Sequence, residues 1–231
     1  MNTTEKIVKC LNDELNEYKQ PVTILSKTDE NNFIIDDTIM LDWDGISKCY
    51  GDGDESSSVD AIYCFVENNE LTLYLFEFKN QNLHDPYFDA KKQLNNIVFE
   101  MKQTKSCCQY ADEIKNFKKN LVSKKISSLK TKPIESIFLL HEILNNNGIS
   151  SEEIVTIKKE YYIVSPTPIN GNTSNWNKRG RNKEIFGFVD KIKPFPFSEI
   201  EPISEETYLT LIEDLKRKNT LNDEFNDTYV N

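Results

Sequence analysis

Two hydrophobic periodicities share this chain, and where one gives way to the other the elements can be read. Over residues 3–20 the spacing is helical: Ile7, Leu11, Glu14 and Tyr18 share a stripe, Val8 and Leu15 flank it, and Pro21 ends it. Residues 32–36 read as a short strand. Residues 58–80, SVDAIYCFVENNELTLYLFEFKN, are two apolar runs joined by Asn68-Asn69. Asn tolerates positive φ better than other non-glycine residues, so the pair suits a two-residue type I′ hairpin turn. A turn centred there sets Glu67 opposite Glu70 and Asp60 opposite Glu77. Cross-strand partners share a face, as do residues two apart. Asp60, Glu77 and Lys79 therefore project from one face at one end, beside Ile62, Cys64, Val66, Leu71, Leu73 and Leu75. Ala61, Tyr63, Phe65, Thr72, Tyr74, Phe76 and Phe78 take the other face. Both faces are apolar, which predicts central strands covered on both sides. Two carboxylates and an ammonium at the edge of such a core are costly to desolvate without a purpose.

Further on, Asp85-Pro86 reads as an N-cap followed by proline at the first helical position. The helix it opens, residues 86–105, carries Ala90, Leu94, Ile97 and Met101 on one stripe. Residues 107–132 read as a second helix. Pro133 then starts an apolar segment over 133–147, read as a buried helix ended by Gly148, with a strand over 134–140 as the alternative. EYYIVS, residues 160–165, is a strand, which makes 107–157 a helical insertion or elaboration. Residues 166–183 form a polar loop, and Pro194, Pro196 and Pro202 mark an extended connection. Ser204 caps a last helix with Tyr208, Leu211, Ile212 and Leu215 inward, and 219–231 is a polar tail. The order of elements is that of one α/β domain over residues 1–218.

A formal net charge of −10 and a pI near 4.9 argue against a protein that coats nucleic acid nonspecifically. They leave room for a local basic groove. Its candidates are Lys118, Lys119, Lys124 and Lys125 in the lysine-rich stretch 115–132, with a solvated helix face as the plain alternative. In the 166–183 loop, Trp176 with Lys178, Arg179 and Arg181 suits phosphate contact or base stacking, against an ordinary surface loop. Asp42, Asp44, Asp52, Asp54 and Glu55 crowd a glycine-containing loop without calcium-loop spacing, and read as solvated. His84 and His141 lack metal-ligand spacing. Five cysteines, odd in number and without C-x-x-C, read as reduced thiols. No signal peptide or long apolar run is visible, so a soluble cytoplasmic protein without a membrane partner is expected.

Asp60, followed by Glu77-Phe78-Lys79 at the end of the next strand, resembles the PD-(D/E)XK nuclease motif. Val59 stands where that motif has proline. KKQLNN resembles the QL element of the superfamily's RecB-like branch. The resemblance implies a restriction-endonuclease-like αβββαβ core, with a mixed central sheet flanked by helices. It implies a magnesium- or manganese-dependent endonuclease acting on nucleic acid, DNA first. Asp60, Glu77 and the Phe78 backbone carbonyl would be metal ligands, and Lys79 and Gln93 catalytic residues. Glu14 is the first-helix acid expected near the metal. A homodimer, which would bring two sites to a duplex, stays open. Two alternatives stand beside this one: the same fold without catalysis, serving nucleic-acid binding or complex assembly, and an unrelated α/β protein in which Glu77 and Lys79 form a structural ion pair.

Overall fold

The structure, a computed structural model, describes residues 2–28, 31–50, 57–79, 96, 99, 108–166 and 196–220, the side chains at 28, 31, 108–126 and 220 excepted. In chain order the elements are α1 (Thr3–Leu15), a 3-10 turn (Asn16–Tyr18), β1 (Lys19–Pro21), α2 (Val22–Leu25), β2 (Lys27–Thr28), β3 (Asn31–Asn32), β4 (Ile39–Asp42) and α3 (Trp43–Tyr50). They continue with β5 (Ala61–Glu67), β6 (Glu70–Phe78), α4 (Cys108–Asn146), α5 (Ser151–Val155), β7 (Lys158–Ser165), β8 (Glu199–Ser204) and α6 (Glu205–Thr220). The main sheet has six strands in the order β1-β4-β5-β6-β7-β8. The pairs from β1 through β6 are antiparallel, and β7 and β8 continue in parallel. The protein is thus α/β, with a mixed open sheet flanked by helices.

The hairpin forms in the predicted register. Asn68 and Asn69 both have positive φ, 51° and 65°, as a type I′ turn requires. Glu67 pairs with Glu70 and Ala61 with Phe76, so both faces come out as the alternation predicts. On one face, Ile62, Leu71, Leu73 and Leu75 pack under Ile7, Leu11 and Leu15 of α1 and Ile137, Leu140 and Leu144 of α4. On the other, Ala61, Phe65, Tyr74, Phe76 and Phe78 pack against Tyr208, Ile212 and Leu215 of α6. Tyr208 meets Phe76 and Phe78 edge-on, with ring centroids 5.3 and 5.7 Å apart. The Ser204 hydroxyl accepts the Thr207 N–H at 3.1 Å, the expected cap of α6.

Four expectations are corrected. The buried stripe of α1 is Ile7, Leu11 and Leu15; the helix stops there, and Lys19–Pro21 pairs with β4 as an edge strand. Residues 33–36 are not a strand. The chain there is held by side chains: Asp36 accepts the Thr38 N–H and hydroxyl at 3.1 and 2.7 Å, and the sheet strand is Ile39–Asp42. Asp42 and Asp44 belong to a helix start and not to a loop, since the Asp42 carboxylate accepts the Gly45 N–H at 2.9 Å. A Cβ at Gly45 would lie 2.5 Å from that carboxylate, so a side chain there would push the cap out of place. Finally, the helix does not break at Pro133. Cys108–Asn146 is continuous over 39 residues. The 86–105 helix, the 166–183 loop and the tail beyond 220 lie outside the described residues. Among the described residues no helix is long and apolar enough to cross a membrane.

How a helix passes through Pro133 is visible on β7. A helical amide at position 133 would donate to the Leu129 carbonyl, and proline has no N–H to give. The buried Tyr161 hydroxyl donates to that carbonyl instead, at 3.3 Å. An orphaned buried acceptor is thereby satisfied from the sheet. Two strand residues earlier, a second buried polar group serves α5: the Lys159 ammonium donates to the Ile154 and Ile157 carbonyls at 3.1 and 2.8 Å.

These contacts make two predictions. Tyr161→Phe strands the Leu129 carbonyl and should cost about 1–2 kcal/mol in urea unfolding. In a Pro133→Ala background the new amide can donate, so the same change should cost clearly less; equal costs would show the hydroxyl to be idle. Burial also pulls the Lys159 ammonium down from its ordinary 10.5 to about 8. Between those values the unfolded chain binds the extra proton, so the contribution of Lys159 to stability rises with pH and is lost as pH falls through about 8. Urea midpoints of the wild type and Lys159→Met, measured from pH 7 to 10, should shift in the wild type's favour by up to roughly 1 kcal/mol per pH unit.

Candidate functional site

The strand register that buries two apolar faces also gathers charge at one end of β5 and β6. Asp60 stands one residue before β5. Its N–H donates to the Phe76 carbonyl at 3.0 Å, and its carbonyl accepts the Trp43 N–H at 3.2 Å. The residues before it are tied to α4: the Val59 N–H donates to the Ser136 hydroxyl at 3.0 Å, and the Ser57 N–H to the Glu135 carboxylate at 2.9 Å. So held, Asp60 faces Glu77, and its carboxylate accepts the Phe78 N–H at 2.6 Å. Beyond the end of β6, the Lys79 N–H donates to the Val164 carbonyl at 2.8 Å. That bond carries the parallel pairing one step further and keeps Lys79 on the Glu77 face.

Glu77 has no solvent exposure. Its Oε1 pairs with the Lys79 ammonium. A second ammonium arrives from α4: Lys132 Nζ donates to Oε1 and Oε2 of Glu77 at 2.8 and 3.1 Å, and lies 3.7 Å from Asp60 Oδ1. Two carboxylates and two ammoniums thus lie in one cluster, and their charges cancel when all four are ionised, the condition on which ionised groups can be buried. The cluster opens to solvent on the side of Lys79, whose side chain is 33% exposed.

The electrostatics reflect this packing. Burial, and then the Glu77 carboxylate, pushes the Asp60 carboxyl up to about 7, against the pull of Lys79, Lys132 and the Phe78 N–H. Burial lowers Lys132, but Glu77 and Asp60 outweigh it and hold that ammonium above its ordinary range. Burial raises the Tyr161 hydroxyl, and the Glu77 and Asp60 charges raise it further. Asp44, in the first turn of α3, adds its charge to the field at Lys132 while accepting the Ser58 hydroxyl at 3.2 Å.

The structure brings together Asp60, Glu77 and Lys79. It does not bring Glu14 to them: Glu14 is on the exposed side of α1, where its charge acts on Cys10 and Tyr50. Gln93, Trp176, Lys178, Arg179 and Arg181 lie outside the described residues, as does His84. Lys118, Lys119, Lys124 and Lys125 fall on α4, the helix that also carries Lys132, though their side chains are outside the described set. His141 is half-buried on the same helix; burial and then Lys159 hold its imidazole below the ordinary value. Sequence reasoning missed Lys132, counting it with the surface lysines. The signal was present: with the helix continued through Pro133, Lys132 sits within the buried stripe Leu129, Pro133, Ser136, Ile137 and Leu140.

Among the described residues no group of three or more His, Cys, Asp and Glu side chains is arranged to hold a metal ion. The oxygen donors that converge are the two carboxylates of Asp60 and Glu77. Compared with known proteins, the chain matches no family model, no curated protein and no solved structure.

The cluster should behave as one energetic unit. Glu77→Gln alone leaves two ammoniums short of an anion, and Lys132→Met alone leaves a buried carboxylate underpaired; each should destabilise by roughly 3 kcal/mol. In a double-mutant cycle read by urea unfolding, the two changes together should cost less than their sum by about 1–3 kcal/mol. Additive costs would show that Lys132 does not pair with Glu77.

Proposed function

We propose that this protein is a metal-dependent nuclease, a DNA endonuclease that hydrolyses phosphodiester bonds. The observation that carries the reading is the convergence of Asp60, Glu77 and Lys79 on one face at one end of paired central strands. Those residues carry the resemblance to the PD-(D/E)XK superfamily, and a six-stranded mixed sheet flanked by helices is compatible with its fold.

The donor set suits a hard cation. Asp60, Glu77 and the Phe78 carbonyl offer oxygen only, and magnesium needs few protein ligands because it keeps waters of its own. A cationic group, the Lys132 ammonium, already lies against both carboxylates. When bound there, magnesium or manganese supplies Lewis acidity toward a phosphate and a water of lowered pKa. The chain's own residues do the rest. Asp60 and Glu77 would hold the ion through side chains fixed by backbone bonds and ion pairs. Lys79, the most open member of the cluster, orients the attacking water and offsets the negative charge that develops on the phosphate. Lys118, Lys119, Lys124 and Lys125 on α4 would take backbone phosphates, and Trp176, Lys178, Arg179 and Arg181 would grip a flanking strand.

One observation favours a second reading. Lys132 neutralises the cluster without any metal, as a fold kept for nucleic-acid binding or complex assembly, and no longer for catalysis, would require. Incubation of supercoiled plasmid and of single-stranded DNA with magnesium or manganese separates the two. The nuclease reading expects cleavage that Glu77→Ala and Lys79→Ala each reduce by roughly a hundredfold or more. Cleavage that persists in both variants, or no cleavage of any nucleic acid offered, would overturn it.

A further inference from the structure

Lys132 comes from a helix 55 residues away in sequence, and it takes both oxygens of the buried carboxylate. Its position is held by more than that contact. Ser136, one turn further along α4, receives the Val59 N–H, and Glu135 receives the Ser57 N–H. On the other side of Lys132, the Leu129 carbonyl is held by Tyr161 from β7. The helix is thus fastened to the start of β5 and to β7 on either side of this lysine. Its ammonium lies 3.7 Å from Asp60 Oδ1 and 2.8 Å from Glu77 Oε1, between the two carboxylates that a divalent ion would need.

Charge balance governs the entry of a metal ion. With Asp60 and Glu77 ionised and Lys79 and Lys132 charged, the cluster has no net charge. A divalent ion added to it would place two positive charges, uncompensated, beside two ammoniums. It would also need Glu77 oxygens whose lone pairs already accept from Lys132. One ammonium has to leave the space between the carboxylates, and Lys132 is the one that contacts both of them, whereas Lys79 pairs with Glu77 Oε1 from the open side.

We propose that Lys132 is a tethered cation standing in the divalent ion's place between Asp60 and Glu77, so that metal enters only by displacing it and α4 thereby regulates loading of the site. This rests on the metal-site reading of Asp60 and Glu77, but not on catalysis. Lys132 is a positioning residue here, holding the site closed to metal and its two carboxylates in place.

The test is manganese binding to the full chain, by calorimetric titration and by metal-induced thermal shift. The wild type is compared with Lys132→Met, Lys132→Gln and Lys132→Arg at constant pH. Gln keeps a donor to Glu77 and covers the case in which Met does not fold. Removing the charge should tighten manganese binding by at least about tenfold, because the ion no longer competes with a tethered occupant. The thermal shift on adding manganese should grow accordingly, and Arg should bind as the wild type does. Glu77→Ala placed in the tighter-binding variant should abolish the gain. Equal or weaker manganese affinity in both neutral variants overturns the proposal, as does equal tightening by Arg. The plasmid assay keeps the two readings apart. Tighter binding without cleavage by any variant upholds the role of Lys132 and removes the nuclease. Wild-type cleavage with unchanged affinity in the neutral variants removes only the role of Lys132.

Discussion

A carboxylate with no access to water has to be neutralised where it stands, and at Glu77 that requirement reaches well beyond the strand that carries it. One ammonium comes from two residues on, at the end of the same strand. The other comes from the middle of a 39-residue helix, which must lie across this face of the sheet for Lys132 to arrive. Docking the helix there brings Ser136 and Glu135 to the backbone just before Asp60, and so fixes the second carboxylate. It also sets Leu129 over Tyr161, which repairs the hydrogen bond that Pro133 removes. Sheet, helix and charge cluster are therefore one arrangement, and the hydrophobic contacts of Ile137, Leu140 and Leu144 stabilise the same docking.

The centre of the fold was legible because its signals are local. The Asn68-Asn69 turn, the two apolar runs it joins and their period-two alternation state which residues face each other, and Asp60, Glu77 and Lys79 fall together as that pattern requires. The strand Lys158–Ser165 announced itself over residues 160–165 by a run of β-formers, and α6 by its serine cap. The sheet edges were not legible. Lys19–Pro21 and Glu199–Ser204 are short and each contains proline, which only an edge or a strand end tolerates, so the first read as the end of a helix and the second as a connection. The acids at 42 and 44 drew attention as charge, although Trp43, Ile46 and Ser47 mark a helical face behind a capping aspartate.

Lys132 was hidden for a different reason. Proline is a reliable helix breaker only when nothing else can satisfy the carbonyl it abandons. Here the replacement donor is a tyrosine 32 residues away in sequence, so no local window holds the information. Placing the break at Pro133 left Lys132 at a helix end among surface lysines, when it is held against the sheet by two carboxylates.

The hairpin itself has a further consequence. Most strands are kept in step by greasiness on one side and polarity on the other, so that a slip exposes the wrong set. These two strands are greasy on both sides, and a slip by a single position would still bury well. What such a slip would do is carry Glu77 away from Lys79 and Lys132 and in among the rings of Phe76, Tyr162 and Tyr208. Phasing of the central sheet therefore falls to a pair of left-handed asparagines at one end and to ionised groups at the other, whose charges serve as the pins that keep the strands aligned.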